Sequence, residues 1–174
     1  GWYDESKADR DRYLAMYDRL NYVLEEVVDE VAPDIPFWPS SPSMGPLNFG
    51  DGWHNETAGD MHFWDVWHSA KDFEHYRTVK PRFCSEFGFQ SFPSMPLIET
   101  FTAPEDRSAT PRVMDVHQRN DGGNEKIAET MSRYFKVPET FEDLAHLSQV
   151  SQALAMQTSI ELWRSVRPRC TGTL

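Results

Sequence analysis

The chain has 174 residues, with 28 Asp and Glu against 17 Lys and Arg, a formal net charge of -11, 39% hydrophobic residues and 13% aromatics. That length fits one domain and the apolar content can supply a core, which argues against wholesale disorder, while the acidic balance repels phosphate backbones and argues against nucleic acid and anionic membrane surfaces as partners. Apolar stretches reach only a few residues, far short of the roughly 20 that span a bilayer, residues 1–12 lack the apolar core of an export signal, and the two cysteines, Cys84 and Cys170, read as free thiols rather than a disulfide framework or metal cluster.

In chain order, residues 5–32 place Tyr13, Tyr17, Leu20, Leu24, Val27, Val28 and Val31 at spacings of three and four, the period of an amphipathic helix, and Pro33 stops it. Residues 35–39 predict a short strand that runs into a rigid loop rich in serine and proline, and residues 47–59, rich in Gly, Asn, Asp and Trp, predict an exposed loop. Aromatic and β-branched residues predict a buried strand over 61–67, a short helix follows over 72–79, and a further strand over 83–89. Residues 93–121 hold four prolines and read as loop, with a turn of helix near 96–101. Two helices are expected over 125–135 and 141–166, the second with Leu144, Leu147, Ser151, Leu154, Thr158 and Leu162 along its apolar stripe. Residues 171–174 look like the opening of another strand. Strands separated by helical stretches need crossover connections, so the fold class is α/β with a parallel sheet.

Glu86 is the sharpest chemical candidate, a single carboxylate near the carboxyl end of an apolar strand, where ionised groups are rare unless paired or functional. A structural ion pair with Arg82 is the alternative. Strand alternation puts Asp60, His62 and Trp64 on one face. Asp60, His62 and His68 can be sketched as metal ligands, but no motif has metal-site spacing, so no metal is expected. Trp53, Trp64 and Trp67 lie close to this polar segment, and tryptophan beside carboxylate, His and Asn suits a sugar site, where a ring face stacks and polar groups orient hydroxyls. Core packing is the competing reading for any one of them. There is no Gly-x-Ser-x-Gly elbow, no glycine-rich phosphate loop and no activating neighbour for Cys84 beyond Arg82, which disfavours serine hydrolysis, phosphoryl transfer and a cysteine nucleophile.

At Trp38-Pro39-Ser40-Ser41-Pro42, at Gly59-Asp60-Met61-His62-Phe63-Trp64-Asp65-Val66-Trp67-His68 and at Arg82-Phe83-Cys84-Ser85-Glu86-Phe87-Gly88-Phe89-Gln90-Ser91, the chain resembles the β-mannosidases of glycoside hydrolase family 2. The motifs stand in the family's order and spacing, so the resemblance extends over essentially all 174 residues. It implies a partial (β/α)8 TIM barrel, strands five to seven with their helices and the start of strand eight. Residues 1–174 would then be the C-terminal half of a catalytic domain, incomplete at both ends, where a whole barrel takes about 250 residues.

The implied activity is removal of terminal, non-reducing β-D-mannose with retention, through two carboxyl groups about 5–5.5 Å apart. Glu86 takes the place of the nucleophile at the end of strand seven. Trp38, Trp53, Asp60, His62, Trp64, Trp67 and His68 take the places that line the mannose pocket, His68 standing where relatives put a tyrosine beside the nucleophile. The family's acid/base Glu follows an Asn at the end of strand four. Asn55-Glu56 and Asn124-Glu125 do not match that position, so the acid/base is expected outside this chain and the isolated segment is expected to be inactive. No organic cofactor is implied. The expected partners are a β-mannoside or manno-oligosaccharide and the rest of the parent barrel, and a bacterial parent would be cytoplasmic. A non-catalytic carbohydrate-binding module and a relative acting on another β-glycoside are the alternative readings.

Overall fold

Among the described residues three short strands form the sheet: β1 (Met61–Phe63), β2 (Phe83–Phe87) and β3 (Gly172–Thr173). The structure is a computed structural model and describes residues 2–45, 54–108 and 112–174. The sheet order is β1-β2-β3 and both pairings are parallel, as the alternation of strands and helices predicts. Met61 stands opposite Cys84, His62 opposite Glu86 and Phe63 opposite Phe87, with an irregularity between Met61 and His62. The register alone therefore brings two candidate residues, His62 and Glu86, side by side.

Parallel neighbours require crossovers, and helices supply them. Between β1 and β2 run α3 (Asp65–His68) and a 3-10 helix (Phe73–Thr78). Between β2 and β3 run α4 (Met95–Ile98), a 3-10 turn (Pro104–Asp106), α5 (Arg112–His117), α6 (Gly123–Ser132) and α7 (Phe141–Ser165). Ahead of the sheet lie α1 (Trp2–Ala8) and α2 (Arg10–Val31). Among the described residues no helix is long and apolar enough to cross a membrane.

Several elements differ from the sequence reading. The single helix expected over 5–32 is broken at Asp9, and no residue of α2 is buried, with Leu20 58% and Val27 51% exposed. Residues 35–39 join no strand. The strand expected over 61–67 leaves the sheet after Phe63, because Trp64 turns the backbone into α3, whose first turn carries Asp65. β2 stops at Phe87, where Gly88 takes φ +153°. The proline-rich stretch 93–121 contains α5, whose Met114 is buried.

The core lies on the helical side of the sheet. Tyr76 meets Phe87 and Trp163 edge-on with ring centroids 6.3 and 5.7 Å away, and Phe87 meets Trp163 at 4.9 Å. Phe73 stacks on Tyr134 at 4.5 Å, and the Tyr134 hydroxyl accepts from the Phe73 N–H at 2.9 Å. The buried face of α7 is not the leucine stripe. It is Ala145, Ser148, Ser151, Ala155, Ser159 and Trp163, while Leu144, Leu147, Leu154, Thr158 and Leu162 are half-buried at its flanks. Small side chains let the helix axis approach the 3-10 helix and the sheet closely, and Thr140 caps its start by accepting from the Asp143 N–H at 3.1 Å.

The same helix fixes the chain just beyond β2. Ser148 Oγ accepts from the Phe92 N–H at 3.0 Å, Gln149 donates to the Phe92 carbonyl at 3.2 Å, and Gln152 donates to the Phe89 carbonyl at 2.7 Å. An irregular segment needs such partners for its backbone groups. Here they hold the exit of the strand that carries Glu86.

Candidate functional site

Strand alternation sends Met61 and Phe63 into the core and leaves His62 and Trp64 beside Glu86, with Asp60 beside the neighbouring Ser85. Trp64 Nε1 donates to Glu86 Oε2 at 3.0 Å, and His62 Nδ1 lies 3.2 Å from the same oxygen. The His62 side chain is buried and that of Glu86 is 50% exposed. Glu86 is thus held from below and open on its outer side. Its partners are His62 and Trp64, not the Arg82 of the alternative reading.

Asp60, buried just before β1, is the anchor of the cluster. Its Oδ1 accepts from the Ser43 N–H at 2.9 Å and from Trp38 Nε1 at 3.2 Å. Its Oδ2 accepts from the Ser41 hydroxyl at 2.5 Å and from the Ser85 hydroxyl. Burial works to raise the carboxyl, but the hydrogen bonds from Ser41, Ser85, Ser43 and Trp38 outweigh it and hold Asp60 below its ordinary value. Ser41 Oγ in turn lies 3.0 Å from His62 Nε2 and 3.0 Å from Ser85 Oγ. A continuous path of polar contacts therefore runs from Asp60 through Ser41 to His62 and Glu86.

The loop that brings Trp38, Ser41 and Ser43 to Asp60 depends on a close backbone approach. The Asp60 N–H donates to the Ser43 carbonyl at 3.0 Å. At Gly59, φ is +65°, and a Cβ there would stand 1.8 Å from that carbonyl oxygen, so only glycine fits. The Tyr17 hydroxyl of α2 donates to the Pro39 carbonyl at 3.0 Å and ties the other end of the loop.

Of the predicted residues, Trp38, Asp60, His62, Trp64 and Glu86 converge. Trp67 stands instead in the core, its ring meeting Phe89 edge-on at 5.2 Å with Lys126 Nζ 5.8 Å from its centroid, because the helical turn after Trp64 carries it to the buried side. His68 is exposed and packs on Trp64 at 5.6 Å, and it is Trp64 that donates to Glu86. Trp53 lies outside the described residues. Asp60, His62 and His68 do not converge, and among the described residues no three His, Cys, Asp or Glu side chains are arranged to hold a metal. Burial, with the Cys170 thiol adding to it, pushes the Cys84 thiol up to about 12, which removes the thiolate a nucleophile needs.

Glu56 accepts from the Lys80 N–H at 2.7 Å, and Asn124 is buried between Asp115 and Gln118, so both Asn-Glu pairs have structural partners. Sequence reasoning missed Ser41 and Ser85. Both lie inside the motifs, but a short hydroxyl carries no signal until its acceptor is known.

No family model matches this chain. Among curated proteins it is 34% identical over 157 residues to β-mannosidase B of Aspergillus flavus, a match that covers 88% of this chain and 17% of that protein. It is 35% identical over 146 residues to β-mannosidase B of Aspergillus clavatus, covering 82% of this chain and 17% of that one. Among solved structures, the crystal structure of a β-D-mannosidase from Dictyoglomus thermophilum matches 91% of this chain and 19% of its own, with a TM-score of 0.78 and 35% identity. The resemblance read from the three motifs is thus matched in sequence and in three dimensions, and the chain spans about 17% of the length of the curated relatives.

Proposed function

We propose that residues 1–174 are a segment of the catalytic barrel of a retaining β-mannosidase of glycoside hydrolase family 2, incomplete at both ends, with Glu86 as its nucleophile. The observation that carries this reading is the placement of Glu86. It stands at the carboxyl end of the middle strand of a parallel sheet, one carboxylate oxygen held by Trp64 and His62, the outer side open, in a chain similar to β-mannosidases over 88% of its length. Substrate sites of parallel α/β folds form at that end of the strands.

In the proposed reaction one Glu86 oxygen attacks the anomeric carbon of a terminal β-D-mannosyl unit, the glycosidic bond breaks, and the leaving oxygen takes a proton from an acid in the remainder of the parent enzyme. Water then hydrolyses the α-mannosyl ester, restoring the Glu86 carboxylate. The Trp64 N–H and His62 fix the carboxylate before attack and hold its charge as the ester is released. Trp38, Trp64, His62, Asp60 and His68 line or support the mannose pocket, and Trp67 supports it from the core behind β1. Of three strands, β1 corresponds to barrel strand six, β2 to strand seven and β3 to the start of strand eight, and residues 35–39 stand in the place of strand five. A β-mannoside or manno-oligosaccharide is the substrate, and neither nucleic acid nor a membrane is a partner.

The test uses the full-length enzyme containing this chain. Glu86→Ala is expected to lower hydrolysis of an aryl β-mannoside by at least about 10⁴-fold, the scale lost when a covalent nucleophile is removed, and added azide restores turnover with α-mannosyl azide as product. Retained hydrolysis in Glu86→Ala, or a β-configured azide, contradicts the assignment.

A further inference from the structure

β1 and β2 do not pair residue for residue. Met61 stands opposite Cys84, and the next residue, His62, stands opposite Glu86, so Ser85 of β2 has no counterpart on β1. An extra residue in one strand of a pair is a β-bulge, rare between parallel strands. Regular pairing resumes at once, with Phe63 opposite Phe87.

The core records the same insertion. Met61 and Phe63 lie in it with one residue between them, and their partners Cys84 and Phe87 lie in it with two between them. Strict alternation allows a single outward residue there. Both Ser85 and Glu86 leave the core face instead. Ser85 Oγ donates to Asp60 Oδ2 and lies 3.0 Å from Ser41 Oγ and 3.4 Å from the Met61 carbonyl oxygen, while Glu86 Oε2 accepts from Trp64 Nε1 at 3.0 Å.

The extra residue is not needed to turn Glu86 outward. A strand without Ser85 would run Cys84 inward, Glu86 outward and Phe87 inward, in register with Met61, His62 and Phe63. Nor does β3 require it, since β3 pairs with Phe83 and Cys84, ahead of the bulge. What the insertion adds is a hydroxyl on the same face as Glu86, one peptide bond away from it. That hydroxyl is seated on a carboxylate to which the Trp38 indole, the Ser41 hydroxyl and the Ser43 N–H also donate.

We infer that Ser85 is a positioning residue of Glu86: the extra residue of the bulge, its hydroxyl seated on Asp60, ties the main chain of Glu86 to the loop of Trp38, Ser41 and Ser43. Two separate supports then set the carboxylate. Trp64 holds its side chain, and Asp60 holds its main chain by way of Ser85. The role toward a nucleophile rests on the reading of Glu86 given above.

The test uses the full-length enzyme and the trapping reagent 2-deoxy-2-fluoro-β-mannosyl fluoride, whose saturation constant and rate of ester formation are measured separately. Ser85→Ala keeps the extra residue and removes its hydroxyl, Ser85→Thr keeps the hydroxyl, and deletion of Ser85 removes the bulge while leaving Glu86 opposite His62. Ser85→Ala is expected to slow ester formation on Glu86 by about 10- to 100-fold, the loss that follows when a reacting group is misplaced by up to about 1 Å, with the saturation constant unchanged. Ser85→Thr recovers most of that rate, and the deletion loses at least as much as Ser85→Ala. A Ser85 that serves stability alone would lower the urea midpoint and leave ester formation by the folded enzyme as fast as before. An unaltered rate on Glu86 in Ser85→Ala, a loss confined to the saturation constant, or a Ser85→Thr enzyme as slow as Ser85→Ala overturns the inference and leaves the reading of Glu86 standing. If the deletion does not fold, the Ala and Thr variants decide the matter. An ester on another carboxylate of the unaltered enzyme overturns the reading of Glu86 itself, and the role of Ser85 with it.

Discussion

Asp60 gathers four hydrogen bonds, from the Ser41 and Ser85 hydroxyls, the Trp38 indole and the Ser43 backbone amide. Its native value lies below the ordinary one, so the stability it contributes is complete above the unfolded value of about 3.9 and is lost as pH falls through the native value. Urea midpoints measured from neutral pH down to about pH 3, just below that unfolded value, should therefore fall more steeply for the unaltered chain than for Asp60→Asn. Equal acid limbs would contradict this. Trp64→Phe keeps an aromatic ring at this position and removes the indole N–H donor to Glu86 together with part of the ring. A hydrogen bond to a charged group is worth about 1.5–3 kcal/mol, so kcat/KM of the full-length enzyme should drop by about 10- to 100-fold. The motif residues Glu86, His62 and Trp64 were legible in the sequence through strand alternation and the family resemblance, whereas the register that sets His62 opposite Glu86 appears only in the folded sheet. Ser41 and Ser85 were not, since their roles depend on which acceptor a folded loop presents.

At the scale of elements, α7 separates what periodicity can show from what it cannot. Its helical period is plain in the sequence, and its limits, 141–166 against the observed Phe141–Ser165, differ by one residue. Which face is buried was not plain. Hydropathy favours the leucines, but packing a helix close to a sheet selects Ala145, Ser148, Ala155 and Ser159, and the sequence does not reveal the distance of approach. Ala155→Leu should therefore destabilise the chain by about 1–3 kcal/mol through overpacking, and more than Leu154→Ala at the half-buried flank, as read from thermal or urea unfolding. The reverse order would restore the leucine stripe as the core face. The break of the expected strand at Phe63 has the same character: aromatic residues continue to Trp67, but after Phe63 they serve a helix that turns Trp67 into the core.

For the whole molecule, the α/β class and parallel sheet followed from the order of strands and helices, whereas the unburied apolar stripe of α2 did not, because an amphipathic pattern states that a helix has a partner and not that the partner lies in the same segment. The chain spans about 17% of its relatives' length, and under the proposed assignment the remainder of the barrel would cover that stripe. Leu20→Lys with Val27→Lys should then leave the unfolding of the 174-residue chain within about 0.5 kcal/mol of its unaltered value, as exposed positions do, and destabilise the full-length enzyme. Equal effects in both would place the partner of α2 elsewhere. The isolated chain should likewise fail to hydrolyse an aryl β-mannoside, since the proton donor of the proposed reaction lies outside it. The central claim, that Glu86 is the nucleophile of a retaining β-mannosidase, is met most directly by treating the full-length enzyme with a 2-deoxy-2-fluoro-β-mannosyl fluoride and locating the adduct by peptide mass spectrometry. A single fluoromannosyl ester is expected, on Glu86 within Ser85-Glu86-Phe87-Gly88; an ester on any other carboxylate contradicts the claim.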